Sequence, residues 1–152
     1  MPLERVKVLS ERITPLSSRL RKGTRRGSWR ISRDLSSSFR YAVQGIAYSF
    51  LSQRNFRIHL CIGALVFGLG IYLELSFSHL AVLVLTITAV LVLELLNTAI
   101  EAVVDLAIGR RFHPLARVAK DCSAAAVLVA SISSLVIALL VLLPAFLIQL
   151  GE

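Results

Sequence analysis

Charge is scarce in this chain: 17% of its 152 residues are Asp, Glu, Lys or Arg, against 56% that are hydrophobic. Soluble domains carry about a quarter charged residues. This balance excludes a soluble globular fold and fits a small integral membrane protein. Cysteine is nearly absent. Cys61 and Cys122 are the whole complement, which excludes a disulfide framework, and both read as small apolar residues. No Gly-x-x-x-x-Gly-Lys-Ser/Thr run occurs, so a P-loop fold is excluded. The first 34 residues lack an apolar stretch followed by a small-residue cleavage site, and no signal peptide is expected. Among the charged residues the acidic ones are the scarcer, nine against seventeen Lys and Arg.

That imbalance divides the chain. Residues 1–38 hold ten Lys/Arg and three acidic residues, and so carry +7 of the net +8. With their Ser, Thr, Gly and Pro they read as a basic, flexible cytoplasmic tail. Such a tail is drawn to anionic lipid headgroups by about 1 kcal/mol per basic residue near the surface. Beside membrane spans it is a topology determinant, and no nucleic-acid partner is expected. Residues 39–152 form the membrane domain.

Within that domain, Phe39, Val43, Ile46, Ala47, Phe50 and Leu51 recur at helical spacing, with Arg40, Gln44 and Gln53 off their face. This predicts an amphipathic surface helix over 36–54, with Tyr41 and Tyr48 suited to the headgroup region. Three apolar runs follow, predicting spans over about 57–74, 79–107 and 121–148. Between the last two, residues 109–121 read as a loop that Pro114 interrupts. The break at 74–79 holds no Lys or Arg, whereas Arg54 and Arg57 precede the first span and Arg110, Arg111, Arg117 and Lys120 follow the second. The positive-inside rule then places the N-terminus in the cytoplasm and the C-terminus outside. Gly63, Gly68 and Gly70 in the first span read as helix-packing positions, and His59 as a neutral imidazole, snorkelling or hydrogen-bonded, rather than a ligand. Ser123 and 124–126 read as sites of close helix approach with room for substrate.

The second run contains an anomaly. Glu94, Asn97, Glu101 and Asp105 lie at about 0°, −60°, −20° and +20° around a helix of about 100° per residue, one polar stripe roughly 80° wide. Ionisable groups at membrane depth are costly and mark function, and a row of oxygen ligands suits hard cations and phosphates. Counting from an outer entry near Ala81, Glu94 lies about 20 Å deep and Glu101 about 30 Å, at the inner boundary. The stripe can therefore meet a lipid headgroup at one end and a soluble nucleotide at the other.

The residues themselves carry a resemblance. Glu94-x-Leu96-Asn97-Thr98-Ala99-Ile100-Glu101-x-x-Val104-Asp105 resembles the signature of the prokaryotic diacylglycerol kinase family, which includes undecaprenol kinases. Ala119-Lys120-Asp121 with 124–128, and Arg54-Asn55-Phe56-Arg57-Ile58-His59, resemble two further blocks of that family. The resemblance implies an all-α membrane protein, an N-terminal surface helix plus three transmembrane helices, assembled as a homotrimer with shared active sites in the bacterial inner membrane. It implies transfer of the ATP γ-phosphate to a lipid hydroxyl, of diacylglycerol or undecaprenol, with Mg²⁺. By position, Glu94 is the general base and Asn97 positions the reacting groups. Glu101 holds the metal, while Tyr41, Glu101, Arg111, His113, Lys120 and Asp121 contact ATP. The family's second metal-binding Glu is replaced here by Gln53, whose neutral amide makes a weaker ligand. The alternative is a non-enzymatic small oligomeric membrane protein that uses the stripe for assembly.

Overall fold

The computed structural model describes residues 35–109 and 111–151. Residues 1–34, most of the basic tail, lie outside the described residues, as do Arg110 and Glu152. Four helices make up the described chain: α1 Leu35–Ser52, α2 Arg54–Tyr72, α3 Phe77–Ile108 and α4 Pro114–Gly151. The chain divides into residues 1–43 and 44–152. Of the first unit, residues 35–43 are helical; the second contains the helical bundle. Helices α2, α3 and α4 are each long and apolar enough to cross a membrane, as the sequence predicts. With 32 and 38 residues, α3 and α4 run for about 48 and 57 Å at 1.5 Å per residue. Both exceed the hydrocarbon thickness of roughly 30 Å, so their ends reach beyond it.

The junctions follow local chemistry. Gln53 adopts an extended conformation (φ −104°) between α1 and α2. Arg57 Nη1 donates to the carbonyls of Phe50 and Leu51 at 2.9 and 3.1 Å, satisfying acceptors at the end of α1. Between α2 and α3, Glu74 stands at φ 53°, and the Leu75 N–H donates to the Gly70 carbonyl at 3.1 Å. Helix α3 ends at Gly109 (φ 60°), whose N–H donates to the Asp105 carbonyl at 2.8 Å.

The expected loop over 109–121 is shorter than predicted, because the helix that carries the third apolar run begins at Pro114. Pro114 is the first residue of α4 rather than an interruption. Proline suits that position because its fixed φ is helical and its missing N–H would be unpaired there anyway. The His113 carbonyl accepts from the N–H of Ala116 and Arg117, and His113 Nδ1 accepts from the Leu115 N–H at 3.2 Å. Arg117, Lys120 and Asp121 therefore ride on a helix. Pro144 lies within α4 without ending it, as membrane helices tolerate where other groups re-satisfy the freed backbone.

Helix α3 packs chiefly against α4 and secondarily against α2. Phe56, Leu73, Leu83, Val90, Val127 and Ala138 are the buried apolar residues of this packing. Most other large apolar side chains are exposed. On helices that cross a membrane, such faces meet lipid or another chain. Small residues set the α2–α3 approach. A Cβ on Gly63 would lie 2.6 Å from Ile87 Cγ2, and one on Gly70 would meet Leu83 and Leu80 at 3.1 Å. Gly68 is different: within this chain open space surrounds its would-be Cβ, so it takes no part in the α2–α3 approach. Gly63→Ala should therefore destabilise the protein by about 1–3 kcal/mol through overpacking. Gly68→Ala should be neutral, or stabilising by up to about 1 kcal/mol from helix propensity. Thermal unfolding in detergent separates them; equal effects would refute the packing asymmetry.

Candidate active site

The stripe on α3 becomes progressively more exposed toward the end of the helix. Glu94 is buried at 3% exposure, Asn97 and Glu101 are half-buried, and Asp105 is exposed. Their common face is visible in a bond: Asn97 Nδ2 donates to Glu101 Oε1 at 3.1 Å, the i,i+4 relation on a helix. Thr98, one residue off the stripe, donates its hydroxyl to the Glu94 carbonyl at 3.0 Å.

A buried carboxylate requires a partner. Glu94 finds it across the bundle, where His59 Nε2 of α2 stands 3.4 Å from Glu94 Oε1. The sequence leaves His59 either snorkelling or hydrogen-bonded and does not point to this partner. The available signal was the seam on α2: Asn55, His59, Gly63 and Gly70 fall near one face, and Gly63 and Gly70 face α3. On the α4 side, Ser123 Oγ donates to Asn97 Oδ1 at 2.6 Å. These contacts surround a polar cleft of about 200 Å³, lined by Asn55, His59, Glu94 and Asn97 with Ala124 and Val127 opposite. A second cavity of about 210 Å³, lined mainly by Gly63, Val66, Ile87, Val90 and Leu135, shares His59 and Ser131 with the first. Glu94 thus sits where a polar cleft adjoins an apolar one.

The stripe's exposed end leads to a third cleft, about 260 Å³, where Arg111, His113, Lys120 and Asp121 come together. Arg117 lines it too, a residue the sequence reading assigned only to topology. Lys120 Nζ bonds Asp105 Oδ1, tying α4 to the stripe, and Arg117 pairs with Asp121 at 3.5 Å. Both pairs are largely exposed, so each contributes at most about 1 kcal/mol and leaves its cation available to a phosphate. His113 already uses Nδ1 to accept from Leu115, so Nε2 is the ring atom free to face a ligand.

Two further site residues were expected from the sequence, Tyr41 and Gln53. Tyr41 lies in the first unit, its ring 5.4 Å from the Arg40 guanidinium carbon. Gln53 is half-buried at the α1–α2 junction and makes no side-chain cap bond. Among the described residues no three His, Cys, Asp or Glu side chains converge as a metal cage. The donor set nonetheless fits Mg²⁺ brought with a nucleotide. That ion takes hard oxygen ligands, typically one or two carboxylates completed by phosphates and water, and Glu101, half-buried on the stripe, supplies a carboxylate of that kind.

Fold and site together define the class, an α-helical membrane protein with an acidic site inside its bundle. A family model described as prokaryotic diacylglycerol kinase matches residues 40–142. A diacylglycerol kinase of Synechocystis sp. is 47% identical over 124 residues, covering 82% of this chain and 71% of that protein. An undecaprenol kinase of Bacillus subtilis is 43% identical over 107 residues, covering 70% and 86%. A diacylglycerol kinase of Escherichia coli K12 is 32% identical over 96 residues, covering 63% and 78%. The chain belongs to the prokaryotic diacylglycerol kinase family, and it is a lipid kinase. ATP is the phosphate donor that a kinase family implies.

Proposed function

We propose that this protein transfers the γ-phosphate of ATP to the hydroxyl of a membrane lipid, diacylglycerol or undecaprenol, with Glu94 as general base. The observation that carries this reading is the position of Glu94, buried between α2 and α3 where a polar cleft adjoins an apolar cavity. A lipid lying in the apolar space would present its hydroxyl to a carboxylate already held by His59. Glu94 takes the hydroxyl proton, the hydroxyl oxygen bonds to the γ-phosphorus, and the β–γ bridging oxygen leaves with ADP. A base so placed is worth about 10²–10⁴ in rate.

The nucleotide lies in the cleft of Arg111, His113, Lys120 and Asp121, with Tyr41 contributing from the surface helix. Cations there offset phosphate charge, which is most of what phosphoryl transfer asks of a protein. Mg²⁺ would be held by Glu101, more weakly by Gln53, and would neutralise phosphate charge. Asn97 positions the reacting groups between Glu94 and Glu101.

The active unit is a homotrimer with sites shared between protomers, in the bacterial inner membrane. The N-terminus and the nucleotide cleft are cytoplasmic. Helix α1 lies along the membrane surface, a reading supported by its exposed Phe39, Val43, Ile46 and Leu51. Residues 1–38 act as a basic tail on anionic lipid, and residues 39–152 form the catalytic domain.

The experiment supplies purified protein with γ-labelled ATP and Mg²⁺, and diacylglycerol or undecaprenol in parallel detergent mixtures. Labelled lipid in one arm names the acceptor. Label in neither, with an assembled and folded protein, would refute the assignment of acceptors.

A further inference from the structure

We propose that Ser123 is a positioning residue for phosphoryl transfer, acting through the Asn97 amide on the Glu101 carboxylate. The proposal rests on the roles given above to Asn97 and Glu101 and goes beyond them.

Ser123 is buried, at 9% exposure, on the face of α4 that meets the stripe. Its hydroxyl lies 2.6 Å from Asn97 Oδ1 and 2.9 Å from the carbonyl of Lys120. Asn97 Nδ2 in turn lies 3.1 Å from Glu101 Oε1. Hydrogen-bond polarity makes this a one-way relay. A carboxylate oxygen accepts, and at Glu101 Oε1 the group it accepts from is the amide nitrogen of Asn97. That turns the amide oxygen toward α4, where only a donor is tolerated. Ser123 has a single O–H proton, and both its neighbours are acceptors. The shorter contact, to Asn97, is the one that fixes the amide; the Lys120 carbonyl competes for the same proton. Without the Ser123 proton, the amide loses the partner that holds Oδ1 toward α4 and is free to rotate. Glu101 then loses a donor that orients its carboxylate.

The position of Ser123 in the chain adds a second consequence. It lies three residues after Lys120, which bonds Asp105. One stretch of α4 therefore holds the stripe at two heights, Asn97 by a hydroxyl and Asp105 by an ammonium group. A hydroxyl held in register by the same helix that carries the nucleotide cleft links the geometry of that cleft to Glu101.

Ser123→Ala, Ser123→Thr, Asn97→Ala and the Ser123→Ala/Asn97→Ala double variant test the proposal in the full-length protein. Asn55 and Asn97 are the only asparagines, so ¹⁵N-asparagine labelling yields two side-chain amide signals in NMR without nucleotide or metal. Ser123→Ala is expected to move the Asn97 amide signals and leave those of Asn55 in place, with Ser123→Thr restoring them. In turnover, Ser123→Ala is expected to lower kcat about tenfold, the worth of one hydrogen bond, with the lipid KM unchanged. The same substitution in the Asn97→Ala background is expected to add nothing further.

An unmoved Asn97 signal in Ser123→Ala overturns the relay. So does an undiminished tenfold cost of Ser123→Ala when Asn97 is already alanine, since Ser123 would then act by another route. A moved signal with unchanged kcat overturns the positioning role while leaving the roles of Glu94 and Glu101 standing. Failure of the underlying reading looks different: Asn97→Ala itself would turn over at the wild-type rate.

Discussion

Glu94→Gln should leave a folded protein of unchanged assembly that transfers phosphate at least 100-fold more slowly, with a loss approaching 10⁴-fold if proton abstraction limits turnover. The substitution keeps shape and hydrogen-bonding capacity, so the introduced amide can still face His59 Nε2, which stands 3.4 Å from the native carboxylate. What it removes is the capacity to take a proton. Because the lost interaction belongs to the transition state, kcat should fall while the KM values for ATP and lipid stay near those of the wild type. The check is labelled-phosphate transfer with either acceptor, alongside circular dichroism and size-exclusion chromatography. A fully active, folded Glu94→Gln protein would remove Glu94 from the chemistry. Its buried carboxylate would then be a packing device between α2 and α3.

The second large effect concerns the cation. Glu101→Gln should raise the Mg²⁺ concentration needed for half-maximal activity by about 10–100-fold, the usual cost of weakening a metal's protein support. Gln53→Glu should act in the opposite direction, because a carboxylate adds the charge an amide lacks. The two are measured as Mg²⁺ titrations of turnover at fixed free ATP. Glu101→Gln also alters the acceptor for Asn97 Nδ2, now 3.1 Å away, so part of its effect can reach the reacting groups through Asn97. An unchanged Mg²⁺ requirement in Glu101→Gln would sink its metal role. Gln53→Glu without any lowering of that requirement would remove Gln53 from the metal site.

Much of the architecture is legible in the sequence. The paucity of charge and three long apolar runs force membrane-spanning helices, because a backbone in lipid must satisfy its hydrogen bonds internally. The stripe is equally legible, since helical spacing alone puts Glu94, Asn97, Glu101 and Asp105 on one face, and the Asn97–Glu101 bond is a direct consequence. The start of α4 is not legible in this way, because Pro114 between charged residues looks like a loop breaker. Only the His113 contacts show it to be a helix start. Gly68 shows the limit of a related signal: a glycine in a span says that close approach is possible, without saying whether a neighbour within the chain lies on that face.

What the sequence determined by itself was therefore one-dimensional: how many helices, which of their faces are polar, and which residues of one helix share a stripe. What the tertiary structure alone decided was which residues of different helices meet. His59 opposite Glu94, Ser123 against Asn97, Lys120 on Asp105, and Arg117 in the cleft of Arg111, His113 and Lys120 all depend on how α2 and α4 lie against α3. Helical periodicity fixes angles within a helix. The rotation and register between helices come from packing, here from Gly63 against Ile87 and Gly70 against Leu83, where the absence of a side chain lets the backbones approach. The stripe was written in the spacing of its residues, and its partners were set by the contact of small residues with large ones.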